Sequence, residues 1–305
     1  MSIKKKVFGK INSFVQKSNW YNEVAFPDCK KFWKHRTFNL DVVNLGSTSG
    51  LNAFNYEGVQ LKAANWALSH NPILADKEVL NNYFSYLNPK QSTVIICLCP
   101  LTSLSGSYDY FEDRYYTILR QSSIPNNSYR RKVDVMRKMK NPIEFYPLYE
   151  ILRDLTGMIK QKKNKVFSEE KMISDAQRWM NNWKKEFSIT DFLYPLSLVN
   201  RDGIKDAAKI LNEIITFCKT RNIRPVIVIP PVYHTLGALF TPEIRKVLIS
   251  SLIEKIEDSS IWFHNYMDDP DFNHSISYFQ NSYLLNKKGA KFFTKKVLQD
   301  INLLS

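Results

Sequence analysis

The chain has 305 residues, 44% of them hydrophobic, which is enough for one large domain or two small ones with a real core. Nine glycines and four scattered cysteines argue against a Gly-rich dinucleotide fingerprint, a disulfide framework and a zinc knuckle. The net charge is +14; residues 1–36 hold 9 Lys/Arg and 2 acidic residues, residues 130–165 hold 11 and 4, and the rest is neutral. Such local charge favours docking to an anionic partner over a basic active-site cleft.

The N-terminal segment, residues 3–17, has the pattern of an amphipathic helix. One face carries Ile3, Val7, Ile11, Phe14 and Val15, and lysines lie around the others. Two interpretations are open: a membrane-surface helix with a basic rim, or a terminal helix packed on its own domain. No apolar run reaches the roughly 18 residues of a membrane span. Polar residues also interrupt the apolar stretch of this segment, which argues against a secretory signal peptide. We therefore expect a cytoplasmic protein, with peripheral association at the inner membrane surface as an open alternative.

Short apolar segments alternate with helical patterns along the next part of the chain. The strand candidates are Leu40–Leu45, Val59–Ala64, Thr93–Cys99 and Pro225–Ile229. Helical patterns lie between them at Lys77–Leu87 and Ile204–Arg221, and two more follow at Thr241–Ile256, with Thr241 as N-cap, and Lys287–Ile301. This alternation predicts a three-layer α/β/α fold with a parallel sheet.

The predicted domain organisation has three parts. Residues 1–36 form a basic, helical N-terminal segment, and residues 37–105 and 204–305 form the α/β domain. Residues 106–203 interrupt the alternation with a basic, mostly helical insert that is too long to be a plain loop. This insert is predicted to be a lid or subdomain.

The first strand candidate ends in the segment Gly46-Ser47-Thr48-Ser49-Gly50. A buried strand that stops at a glycine and is followed by hydroxyl residues predicts a tight turn at the edge of a sheet. Hydrolases place a nucleophile on such a turn because the hydroxyl is exposed while nearby amides stabilise an oxyanion. Ser47, Thr48 and Ser49 are therefore the candidate nucleophiles.

Other polar residues follow the remaining strands, where parallel α/β sheets bind their ligands. His70 and His234 are the candidates for a general base that serves one of the three hydroxyls. The candidate substrate-binding residues are Gly46, Asn65, Thr102, Asn281 and Asn286. For two of them a structural role is the alternative: Asn65 satisfying backbone groups at the strand edge, and Asn286 capping the last helix, which we favour.

Three blocks of the sequence resemble the SGNH (GDSL-like) hydrolases, in particular the branch found in bacterial surface-polysaccharide loci. Residues 43–50 are similar to that branch's Asn-Leu-Gly-Ser-Ser opening block, and residues 223–232 to its fourth strand. Residues 279–293 are similar to its closing block, Asp-x-x-His-Leu-Asn-x-x-Gly-Ala. The resemblance covers residues 38–104 and 222–301 and implies a flavodoxin-like parallel sheet.

The resemblance also implies where the family's catalytic groups fall. The nucleophile position falls on Thr48 and the oxyanion glycine on His70, while the family's asparagine falls near Leu101 or Thr102. The acid of the closing block falls on Asn281 and its histidine on Leu284. Leucine cannot accept a proton, so the resemblance implies that the usual Ser-His-Asp mechanism is absent.

Metal and cofactor sites are not expected. His264 and His274 lie near Asp268, Asp269 and Asp271, but without metal-ligand spacing, and Asp-Pro-Asp is ordinary turn chemistry. The basic runs of the insert, including Lys160–Lys165, suit an anionic lipid surface or a lipid-linked glycan precursor. Nucleic acid is not expected as a partner, because no recognised motif accompanies the charge.

Three functional hypotheses follow. The first in order is a glycan- or partner-binding SGNH-like protein of surface-polysaccharide biosynthesis that has lost the usual triad. The second is an active esterase or O-acyltransferase that uses a hydroxyl at 47–49 with a relocated base. The third is a membrane-surface or nucleic-acid docking module that uses the two basic segments.

Overall fold

The computed structural model describes residues 3–34, 37–106, 108–159, 168–192 and 196–304. By its internal contacts the chain divides into two compact units. Met1–Lys34 and Asp109–Lys165 form one, which we call the basic unit; His35–Tyr108 and Val166–Ser305 form the other, the sheet unit. The basic unit holds 21 Lys/Arg and 9 acidic residues, so it carries +12 of the net +14 of the chain.

The sheet unit is built on five parallel strands in the order β2-β1-β3-β4-β5. They are β1 (Val42–Gly46), β2 (Ala63–Asn65), β3 (Ser92–Cys97), β4 (Ile223–Ile229) and β5 (Trp262–Asn265). This is a flavodoxin-like order, in which the direction of winding reverses between β1 and β3. The predicted three-layer α/β/α class with a parallel sheet is confirmed.

The helices of the sheet unit lie on both faces of the sheet because both faces are apolar. Those that pack near the strands are α3 (Thr48–Ala53), α4 (Ile73–Tyr83), α8 (Glu169–Glu186), α9 (Leu198–Lys219) and α13 (Lys287–Asp300). The α4 helix contacts α9 and β1, whereas α13 contacts α3. A core around Phe293 joins α13 to alternate residues of the strands, including Val42, Ile95 and Val228, and the intervening strand residues are equally buried.

The remaining helical segments of the sheet unit are short. They comprise α10 (His234–Gly237), a continuous run of α11 (Pro242–Arg245), a π-helical stretch (Lys246–Ser250) and α12 (Ser251–Ile253), and three 3₁₀ turns (Phe84–Tyr86, Thr102–Ser105 and Ile276–Tyr278). The Thr241 hydroxyl accepts a hydrogen bond from the Ile244 N–H, as the predicted N-cap requires.

The regular elements of the basic unit in its described residues are all helical, and turns and irregular segments join them. Its helices are α1 (Ile3–Val15), α2 (Cys29–Lys34), α5 (Tyr115–Ile118), α6 (Tyr129–Lys140) and α7 (Leu148–Ile159), with a π-helical turn (Trp20–Ala25) and two 3₁₀ turns (Gln121–Ser123 and Pro142–Phe145). Buried polar contacts hold it together: the Arg114 guanidinium is paired with Asp28, and Asp154 accepts hydrogen bonds from Trp20 N and the Tyr146 hydroxyl. The predicted helix at residues 3–17 is present as α1.

The segment predicted as an insert is divided between the two units. Residues 109–165 cluster with the N-terminal segment, whereas residues 166–203, including α8, cluster with the sheet. The lysines at 160, 162, 163 and 165 lie outside the described residues. In the part of the chain that the structure describes, no helix has the length and apolarity to cross a membrane.

Candidate functional site

Gly46 shapes the turn that follows β1. Its φ of +132° lies in a region that residues with a Cβ rarely adopt, and a Cβ at this position would stand 2.4 Å from the carbonyl oxygen of Cys97. Only glycine lets the chain leave β1 while passing so close to β3. The next residues enter α3, so Ser47, Thr48 and Ser49 are fixed at the carboxyl edge of the sheet.

A buried carboxyl group supports this turn from below. Asp76, in the first turn of α4, accepts hydrogen bonds from Gly46 N at 2.8 Å and from the Asn71 side-chain amide at 2.5 Å. Burial raises the pKa of Asp76 from 3.8 to about 7, although both hydrogen bonds act in the opposite direction. Asp76 thereby ties the turn after β1 to the loop after β2.

The three hydroxyl residues have different surroundings. Ser47 stands at the N-cap position of α3, but its side chain makes no capping bond. The Thr48 hydroxyl accepts a hydrogen bond of 3.1 Å from the backbone N–H of His70. The Ser49 hydroxyl is buried and has no hydrogen-bond partner of ordinary geometry. It lies close to the Cys97 thiol and the Tyr283 hydroxyl, whose pKa values burial raises although the contact with Ser49 acts in the opposite direction.

A narrow cleft opens beside Ser49. It is lined by Ser49 and Ala53 of α3, Pro100 after β3, Pro230, Pro231 and Val232 after β4, and Tyr283, Leu284 and Leu285 before α13. The loops thus meet at the carboxyl ends of the strands, as the parallel sheet predicts. The free volume of about 10 Å³ is what a single water molecule needs, so the cleft does not hold a sugar ring in this conformation.

His70 lies on the rim of this site. Its φ of +49° is left-handed, a conformation for which glycine is the usual residue. Glu186, at the end of α8, lies near His70. Burial raises the pKa of the Glu186 carboxyl, and the nearby His70 opposes part of this rise. In the described residues, no imidazole nitrogen of His70 or His234 hydrogen-bonds to the hydroxyls of residues 47–49.

His234 belongs to a separate cluster at the start of α10. Its Nε2 lies 2.9 Å from a Glu169 carboxylate oxygen, and its ring stacks on His274 with centroids 4.6 Å apart. The Tyr233 hydroxyl donates to the same Glu169 carboxylate, and burial together with this bond raises the pKa of Tyr233 to about 12. The imidazole of His234 is therefore engaged with Glu169.

Structural contacts hold the closing block in place. The Asn281 side-chain oxygen accepts the N–H groups of Tyr283 and Leu284, which makes a compact Asx turn. Asp175 of α8 accepts hydrogen bonds from Ser282 N and Oγ at 3.0 and 2.7 Å. The ring of Tyr283 packs edge-on against those of Trp179 and Trp183. This leaves Leu284 lining the cleft.

Replacing Asp175 by alanine is expected to destabilise the sheet unit by about 2–3 kcal/mol. The change leaves the fully buried N–H and hydroxyl of Ser282 without their acceptor, and each unpaired buried donor is costly. Urea unfolding, monitored by tryptophan fluorescence, measures the change in the free energy of unfolding. Asp202→Ala, which removes an exposed carboxylate paired with Lys205, is the control and should cost under about 0.5 kcal/mol; equal losses in the two variants would contradict the buried role.

The other predicted binding residues are occupied by local contacts. The Asn65 amide donates to the carbonyls of Gly50, Leu51 and Phe54, and its oxygen accepts from Asn44 and Ala67 N. The Asn286 side chain accepts from Lys288 N and Gly289 N and donates to two carbonyls, which confirms the predicted cap. The Thr102 hydroxyl accepts from Cys99 N at 2.9 Å.

The acidic loop near His264 and His274 is neutralised by cations. Asp268 pairs with Arg245, and Lys296 pairs with Asp269 and Asp271. Within the described ranges, no group of three or more His, Cys, Asp or Glu side chains is arranged to hold a metal ion. These acids therefore act as structural ion-pair partners.

Sequence reasoning missed the buried residues that support the site. Asp76 and Asp175 are single acids in helical patterns, which usually face solvent, and nothing in their spacing marks them as buried. Tyr283 and Cys97 flank Ser49, and burial raises the pKa of both groups, so neither a phenolate nor a thiolate is available there.

No protein-family model matches the chain, and no curated protein is significantly similar to it.

Proposed function

We propose that the sheet unit is an SGNH-like domain without the hydrolase triad, which acts by binding a ligand and not by hydrolysing one. The observation that carries the proposal is the side chain of Leu284 in the cleft beside Ser49. This is the position that the resemblance assigns to the catalytic histidine. A leucine at that place supplies no base to any of the neighbouring hydroxyls.

Two features of the turn support the alignment on which the proposal depends. Thr48 Oγ1 accepts the N–H of His70, and these are the positions matched to the nucleophile and to the glycine that donates to an oxyanion. The left-handed backbone at His70 is also the conformation expected where the family has glycine. These two features of the backbone support the alignment, whereas the side chains of the closing block do not supply the family's acid and histidine.

The ligand that we propose is a surface-glycan precursor, free or lipid-linked, and this choice comes from the resemblance. The cleft itself admits about one water molecule, so the binding surface is the rim formed by Ser47, Thr48 and His70. Hydroxyl groups, the exposed imidazole and the Glu186 carboxylate nearby are groups that hydrogen-bond to sugars. We place this binding at the cytoplasmic face of the membrane in a bacterial polysaccharide pathway.

The test is labelling of the full chain with a fluorophosphonate probe, together with hydrolysis of p-nitrophenyl acetate. We expect the wild-type protein to be labelled no more strongly than the Thr48→Ala and Ser49→Ala variants, because no base activates the hydroxyl of Thr48 or Ser49. A serine esterase of known activity is the positive control, and thermal unfolding shows that each variant is folded. Labelling of wild type that one of the two substitutions abolishes would overturn the proposal.

An active esterase or O-acyltransferase is the second candidate, and the proximity of His70 to Glu186 favours it. A carboxylate and an imidazole near a hydroxyl are the groups that a relocated base requires; here Glu186 lies near His70, and the backbone N–H of His70 contacts the Thr48 hydroxyl. In this case labelling should be lost in both Thr48→Ala and His70→Ala. Retention of full labelling in His70→Ala would remove this candidate.

A further inference from the structure

The basic unit combines its positive charge with exposed apolar side chains, a combination independent of the function proposed for the sheet unit. The exposed large apolar residues of this unit include Phe8, Ile11 and Phe14 of α1, Tyr129, Val133 and Met136 of α6, and Leu148, Tyr149 and Leu152 of α7. The surfaces of soluble proteins seldom carry large apolar side chains on several neighbouring helices, and such patches mark interaction sites.

The exposed face of α6 alternates apolar and cationic groups. Tyr129, Val133 and Met136 recur at the spacing of one helical face, and the buried Val135 lies on the opposite side. Lys140 falls within the same exposed stripe, and Arg130 lies beside it. An apolar stripe bordered by long cationic side chains is the pattern of a helix that lies in the interface of a membrane.

The burial pattern of α7 is the reverse of that of an ordinary surface helix, because its acidic residues are buried and its leucines are exposed. Glu150 and Asp154 are buried, whereas Leu148 and Leu152, on the same helix, are 72% and 57% exposed. Asp154 Oδ2 accepts hydrogen bonds from Trp20 N and the Tyr146 hydroxyl, and Arg153 pairs with Glu150. Because both carboxylates of α7 are buried, the exposed side chains described on this helix are Leu148, Tyr149, Leu152 and Arg153, and none of them repels an anionic surface.

The α1 helix adds a third exposed face of this kind. Asn12 and Val15 are buried, and Phe8, Ile11 and Phe14 are exposed beside Lys10. Gln16 donates to the carbonyl of Met139, which joins α1 to α6. The two helices border an open groove of about 520 Å³ that is lined by Phe8, Gly9, Asn12, Ser13, Gln16, Lys140 and Asn141.

We propose that the basic unit docks on an anionic lipid surface through the exposed faces of α1, α6 and α7. The net charge of +12 supplies the attraction to anionic headgroups, and the apolar side chains enter the boundary between headgroups and acyl chains. Nucleic acid fits this face less well, because the exposed side chains include the aliphatic residues Leu148, Leu152 and Val133, which neither stack on bases nor pair with phosphates.

The test is flotation of the full chain with vesicles of phosphatidylcholine containing 30% phosphatidylglycerol, compared with vesicles of phosphatidylcholine alone. We expect binding to the anionic vesicles only, weakening as NaCl rises from 0.05 to 0.5 M, because salt screens the attraction. Leu148→Glu with Leu152→Glu, and separately Tyr129→Glu with Val133→Glu, should each lower the partition coefficient at least about tenfold.

The matched control lies in the sheet unit, where Leu198 and Val199 are 64% and 68% exposed. Leu198→Glu with Val199→Glu adds the same charge and removes similar apolar surface, and should change partitioning less than about twofold. Circular dichroism and thermal unfolding show that all variants are folded. Three results would each overturn the proposal: equal binding to neutral vesicles, equal losses in the control variant, or binding to duplex DNA that the α6 and α7 variants abolish while vesicle binding is absent.

Discussion

Replacing Asp76 by asparagine is expected to stabilise the protein at pH 8 and to flatten its stability profile between about pH 4 and 7. The pKa of this carboxyl is about 7 in the folded chain and 3.8 in a solvated one. A group whose folded pKa is raised contributes stability that is fully present below the unfolded pKa and is lost as the pH rises through the folded pKa. The shift corresponds to a loss of up to about 4 kcal/mol by pH 8.

The asparagine variant separates the charge from the hydrogen bonds. Its side-chain oxygen still accepts from Gly46 N and from Asn71, so the turn after β1 keeps its support. What the variant loses is the buried negative charge above pH 7, which also lies near the thiol of Cys97. Above pH 7 the unfolding free energy of Asp76→Asn should therefore exceed that of wild type, and near pH 4 the two should converge or reverse.

The measurement is urea unfolding of both proteins between pH 4.5 and 8. Glu186 also has a raised pKa, but it titrates in both proteins and cancels from the difference between the two curves. Asp202→Asn, at an exposed carboxylate in the same unit, is the control and should run parallel to wild type. A difference between Asp76→Asn and wild type that does not change with pH would contradict the buried, proton-binding carboxyl.

The sequence was informative wherever apolar residues ran continuously. Buried parallel strands are apolar on both faces, so the central strands and the turn at Gly46 could be predicted from composition alone. The edge strand β5, Trp262–Asn265, could not, because none of its four residues is buried and only Trp262 and Phe263 are apolar. The second strand was predicted at Val59–Ala64 but is Ala63–Asn65, since a three-residue strand leaves almost no periodic signal.

The chemistry of the site was harder to predict than its position. The carboxyl edge of the sheet brings Ser49, Pro230 and Leu284 together, as expected from the order of the blocks. Contacts between distant segments decided the rest. Asp175 is 107 residues from Ser282, and the Asn65 amide donates to the carbonyls of Gly50, Leu51 and Phe54 around α3. Such long-range polar contacts follow from the tertiary fold, and neither local propensity nor spacing encodes them.

Placing a histidine at position 284 is expected to make the hydroxyl at position 48 reactive toward a fluorophosphonate. Combining Thr48→Ser, Asn281→Asp and Leu284→His should produce fluorophosphonate labelling at least about 100-fold above wild type, the lower range for a positioned general base. Leu284 already lines the cleft beside α3, so an imidazole there lies next to the hydroxyl turn. An aspartate at position 281 retains the oxygen that accepts Tyr283 N and Leu284 N, so the Asx turn is preserved.

The control for this experiment keeps the polarity and removes the base. Thr48→Ser and Asn281→Asp combined with Leu284→Gln place an amide of similar size in the cleft, and this variant should stay unlabelled because an amide takes no proton from a hydroxyl. Mass spectrometry of the labelled peptide should locate the probe at position 48. If the histidine variant is folded and silent, Leu284 does not occupy the position of a catalytic base. If it is labelled, the turn after β1 and the cleft have a geometry that supports hydrolase chemistry, and only the side chains at positions 48, 281 and 284 limit it.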